Sequence, residues 1–105
     1  MPSGWRKRTG FQQAQRDPRR TIAANVYLGQ AFTRKGLLRE ASETYSRVLE
    51  SEMSEERKKE VLYNLGDVLE KMGDKTKARD CFSQVAQLDF NYRDVRKRLE
   101  QVSGQ

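Results

Sequence analysis

The sequence predicts an all-α protein made of two helical hairpins and a closing helix. Three observations lead there. Sliding the chain on itself by 37 residues superposes Leu28-Gly29 on Leu65-Gly66, Gly36 on Gly73, Ala41 on Ala78, Tyr45 on Phe82, Ser46 on Ser83 and Val48 on Val85. Apolar residues recur every three or four positions, the period of a helix and not of a strand. The third observation is a balance of 35% hydrophobic and 34% charged residues over 105 positions, which suits a thin helical architecture better than a thick sheet-centred one.

Taken in chain order, residues 1–20 form a basic tail. It holds Arg6, Lys7, Arg8, Arg16, Arg19 and Arg20 against Asp17 alone, so it supplies +5 of the net charge of +6. Any contact with nucleic acid or an anionic membrane rests on these cations, whose contacts would be salt-sensitive; a solubilising segment is the competing reading. Trp5 and Phe11 offer little aromatic interleaving for base stacking. Phe11 and Ala14, followed by Asp17-Pro18, have the look of the end of a degenerate earlier repeat; Asp17 and Pro18 also suit the cap and first position of a helix.

The first hairpin occupies residues 21–53. Ala24, Leu28, Ala31 and Phe32 are expected on the inward face of its first helix, and Gly36 is placed to end it in the left-handed conformation. Leu38, Ala41, Tyr45 and Val48 mark its second helix. The second hairpin, residues 54–90, repeats the plan with Leu62, Leu65, Leu69 and Met72, then Gly73, then Ala78, Phe82, Val85 and Leu88. Ser54 is expected to cap it, with Glu55 and Glu56 favourable toward the helix dipole and the run from Glu55 to Glu60 solvated. Gly29 and Gly66 sit inside helices at a cost of roughly 1 kcal/mol each relative to Ala, which a close helix crossing would offset. Residues 91–105 are expected to form a capping helix, started by Asn91 and bearing Tyr92, Val95, Leu99 and Val102 on one face.

Catalysis finds little support in these residues. Histidine is absent, and Cys81 stands alone beside Phe82, as a packed small side chain would. There is no glycine-rich phosphate loop or metal-spaced cluster, and Asp67 with Glu70 is an ordinary acidic pair on a helix face. A non-enzyme without cofactor or metal is expected. The apolar runs fall far short of the roughly 20 residues that cross a bilayer, and the basic start lacks a secretory apolar segment, so a reducing, cytoplasmic setting is expected.

Leu-Gly, an aromatic residue or Leu, Gly, Ala, an aromatic residue and a small apolar residue, in that order and twice over, resemble the tetratricopeptide repeat across about residues 22–90. Asn25, Val48, Val85 and Phe90 depart from the family's usual choices, and the period of 37 exceeds the usual 34. The resemblance implies an α-α superhelix that binds a peptide or helix of another protein on a concave face lined by the first helix of each hairpin. Val26, Tyr27, Gln30 and Arg34 would line it in the first repeat, with Thr33 beside them. Tyr63, Asn64, Asp67, Glu70 and Lys71 would do so in the second, beside Glu60. Val26 and Gln30 stand where carboxylate-gripping members need Lys and Asn, so a chaperone-tail adaptor is not expected. Open ends would permit a homo-oligomer.

Overall fold

The computed structural model describes residues 17–104. Among these the helices are α1 (Pro18–Arg34), α2 (Leu38–Val48), α3 (Glu55–Lys71), α4 (Lys75–Leu88) and α5 (Val95–Ser103), with no strand. α1 pairs with α2 and α3 with α4; α2 packs on α3 and α4 on α5, so the hairpins stack side by side. The starts and ends of α1 and α3 are each 37 residues apart, so the repeat found in the sequence is also a repeat of boundaries.

Local chemistry accounts for those boundaries. Asp17 accepts the Arg19 amide at 2.9 Å with Pro18 at the first helical position, and Ser54 accepts the Arg57 amide at 3.1 Å. Asp74 caps α4 through the Lys77 amide at 3.1 Å. Gly36 and Gly73 take φ of 80° and 89°, the left-handed values that let each first helix turn into its partner.

The core runs from Ile22 through Tyr45, Leu62, Phe82 and Val85 to Val102. At each hairpin crossing the aromatic ring lies on a glycine. A Cβ on Gly29 would come 2.5 Å from the Tyr45 ring, and one on Gly66 would come 2.8 Å from the Phe82 ring. Ala41 and Ala78, one turn before those rings, are wholly buried. This is the close approach that offsets the helical glycines' cost.

Several expectations are corrected. Ala24 and Leu28 face outward, and the buried side of α1 is Ile22, Val26 and Gly29. No described helix precedes α1 to cover the face that Ala24 and Leu28 occupy. Met72 is likewise exposed, because it caps α3 instead of continuing it. α5 begins after Asp94 and not after Asn91, since a chain reversal with Arg93 at φ 42° intervenes; Tyr92 lies on that reversal. Lys59, in the stretch expected to be solvated, is buried and bonds Glu56 at 3.0 Å and Asp89 at 3.1 Å.

Candidate functional site

The first helices of the two hairpins leave a groove between them. Gln30, Thr33 and Arg34 line it from α1, Asn64 and Asp67 from α3, and Tyr45 of α2 lies at its base; its volume is about 200 Å³. Thr33 is held by donating to the Gly29 carbonyl at 2.8 Å. Burial pushes the Tyr45 hydroxyl above its ordinary pKa, so it stays a neutral phenol at physiological pH.

Asn64 is the exception to local satisfaction. Its side-chain Nδ2 is covered, yet among the described residues it has no acceptor. A covered amide donor without a partner costs about 1–3 kcal/mol, a cost that a turn of the side chain toward an acceptor would remove.

Beyond Asp67 the groove edge is already engaged. Arg98 of α5 reaches across and donates from Nη2 to Asp67 at 2.9 Å and to Glu70 at 2.7 Å, and from Nη1 to the Tyr63 hydroxyl at 3.2 Å. Its guanidinium lies 4.9 Å from the centre of the Phe82 ring. Burial works against the charged guanidinium, but the bonds to Glu70, Asp67 and Tyr63 outweigh it and raise the pKa of Arg98 further. The Tyr63 hydroxyl in turn donates to Asp94, and its ring packs edge-on against Phe82 and Tyr92. Lys71 pairs with Asp67 at 3.1 Å.

The residues anticipated as one concave surface therefore separate. Gln30, Arg34, Asn64 and Asp67 meet in the groove. Tyr63 and Glu70 meet around Arg98, and Lys71 joins them through Asp67. Tyr27 stands apart on the outer face of α1, 71% exposed. Val26 is contradicted as a surface residue: it is 2% exposed, because it lies on the stripe with Ile22 and Gly29 that packs into the core. Tyr27 and Tyr63 are not a matched pair, since the repeat register sets Tyr63 opposite Val26 and Asn64 opposite Tyr27. Of the basic tail, Arg6, Lys7, Arg8 and Arg16 lie outside the described residues, while Arg19 and Arg20 are exposed at the start of α1.

Sequence reasoning overlooked Arg98 and Lys59. A signal existed for Arg98: the acid pair Asp67 and Glu70, one turn apart on a half-buried face, calls for a cation, and the expected capping helix was rich in them. No comparable signal marked Lys59, whose partner Asp89 is 30 positions away.

Residues 59–92 match the family model of the tetratricopeptide repeat. With five helices that fit this repeat, the described residues form an all-α fold of tetratricopeptide type. A search of curated proteins found no match. Tetratricopeptide repeats are generally protein–protein interaction modules and typically non-catalytic scaffolds. Among the described residues, no helix is long and apolar enough to cross a membrane.

Proposed function

We propose that the chain binds a segment of another protein, extended or helical, in the groove between α1 and α3. Asn64 carries this reading: its covered amide donor lacks an acceptor at the place where two first helices face each other. A main-chain carbonyl of the guest would accept from Asn64 once its amide turns into the groove. Gln30 would bond the neighbouring peptide unit, while the Arg34 guanidinium would favour an acidic side chain of the guest and so set its direction; Asp67 is already held by Arg98 and Lys71. Tyr45 supplies an apolar floor. The module would work in a reducing, cytoplasmic setting, where Cys81 needs no disulfide partner.

Selection from a displayed library of random peptides tests this. Peptides selected on the native chain should bind at least tenfold more weakly to Gln30→Ala and Asn64→Ala variants whose helical circular dichroism is unchanged. Equal binding to native chain and variants would reject the groove.

A further inference from the structure

The side of α1 turned away from α2 is an apolar face without a partner among the described residues: Ala24, Tyr27 and Leu28 are exposed and Ala31 half-buried, with Tyr27 at 71% and Leu28 at 42%. The same register positions on α3 are Val61, Asn64, Leu65 and Val68, of which the three apolar residues are buried. Gly66 of α3 touches the Phe82 ring of α4, so Val61, Leu65 and Val68 lie on another side of α3, where α2 packs. What covers such a face within this molecule is thus the apolar side of an amphipathic helix, α2, whose own charges balance, Glu40 and Glu43 against Arg39 and Arg47, with Glu50 and Glu52 just beyond its end. Residues 37–54, which contain α2, carry Glu40, Glu43, Glu50 and Glu52 against Arg39 and Arg47, and all six are exposed.

Charge selects the occupant of the α1 face. Between Pro18 and Arg34 the helix has no carboxylate, and its apolar stripe is bracketed by Arg19 and Arg20 at one end and by Arg34 and Lys35 at the other. An antiparallel second copy would set these cations against each other. The chain's own residues before Asp17 carry Arg6, Lys7, Arg8 and Arg16 and no acid, which gives the same repulsion.

We infer that the open face of α1 docks an acidic amphipathic helix of a partner protein, in the manner in which α2 covers α3. Small Ala24 and Ala31 let the guest helix come close, Tyr27 and Leu28 interlock with its apolar stripe, and its flanking carboxylates meet Arg19, Arg20, Arg34 and Lys35. Ala24, Tyr27, Leu28 and Ala31 lie outside the groove between α1 and α3, with Arg34 alone shared between the two surfaces.

The probe is a labelled peptide with the sequence of residues 37–54, titrated against the full chain by fluorescence anisotropy at low and moderate salt. Binding should weaken at least tenfold in Leu28→Glu and in Tyr27→Ala, at positions exposed enough to leave the fold intact. It should weaken comparably when Glu40, Glu43, Glu50 and Glu52 of the peptide are all replaced by Lys. Binding indifferent to Leu28→Glu, or to the reversed charge of the peptide, would overturn the inference. So would a dimer that Leu28→Glu dissociates, which would make a second copy the occupant. A Phe11→Ala full chain that binds the peptide tenfold tighter would show the chain's own start on this face, and would overturn it too. Phosphatidylcholine–phosphatidylserine vesicles bound through Leu28, with no binding of the peptide, would point to a lipid surface instead.

Discussion

α1 and α3 are the same helix in register and length, each of 17 residues, yet they live in different surroundings. α3 is enclosed by α2 and α4, with Arg98 of α5 reaching its acidic edge, and keeps Val61, Leu62, Leu65 and Val68 out of water. α1 has α2 on one side and the groove on another, and leaves Leu28 in water. The difference teaches that in a stack of hairpins a residue's environment is set by its neighbour in the stack as much as by its place in the repeat. Equivalent leucines therefore do unequal work.

The largest test of that contrast is truncation of the two leucines. Leu65→Ala should destabilise the chain by about 2–4 kcal/mol, the range for a buried Leu, whereas Leu28→Ala should cost less than about 1 kcal/mol. Urea unfolding followed by circular dichroism separates the two.

Next in size is the far end of the stack. Arg98→Ala strips Asp67, Glu70 and Tyr63 of their shared cation and should cost about 2 kcal/mol. It should also loosen α5. Cys81 reports on this, since it is buried on α4, the helix against which α5 packs, and burial pushes its thiol up to about 11. At pH 7.5 the native thiol should react slowly with an aromatic disulfide reagent, and the Arg98→Ala thiol several-fold faster.

The two glycine crossings sharpen the comparison at smaller scale. Gly66→Ala and Gly29→Ala each gain about 1 kcal/mol of helix propensity but drive a methyl group into Phe82 or Tyr45, at a cost of about 1–3 kcal/mol. The net loss should be larger at Gly66, because Phe82 is held between Tyr63 and Arg98. Melting temperatures of the two variants give the order.

The smallest effect is in the pH dependence. The bond from Lys59, and then that from the Asn91 amide, hold the Asp89 carboxyl below its ordinary value of 3.8. Its stabilising share is therefore complete above about pH 4 and is lost as pH falls through the lower folded value. Bonds to Glu56 and Asp89 raise Lys59 above its ordinary 10.5, so its share is complete below that value and fades only as pH rises past the folded one. Asp89→Asn should flatten the acid limb of stability below pH 4 and leave the variant slightly weaker than native at neutral pH.

The hairpins were legible in the sequence because their determinants are local. Gly36 and Gly73 mark turns by backbone freedom, Ser54 and Asp17 cap by their own hydroxyl or carboxylate, and the pairs Gly29 with Tyr45 and Gly66 with Phe82 recur in one register. Of the residues expected on a concave face, Gln30, Arg34, Asn64 and Asp67 do line one groove. Val26 was misplaced because an apolar residue at the edge of a helical stripe can turn either way, and only the partner helix decides. Leu28 was misplaced because periodicity shows which residues want cover, not whether a neighbour is there to provide it. Arg98 and Lys59 act over 28 to 35 positions, a distance at which charge pairing leaves no periodic trace.

The most direct test of the contrast between α1 and α3 is solvent access to the two leucines. In a methyl-labelled sample of the full chain titrated with a soluble paramagnetic probe, the Leu28 methyl resonances should broaden strongly, as on an open surface. Those of Leu65 should stay sharp. Equal broadening of both, or protection of Leu28 to the level of Leu65 in the isolated monomer, would contradict the account.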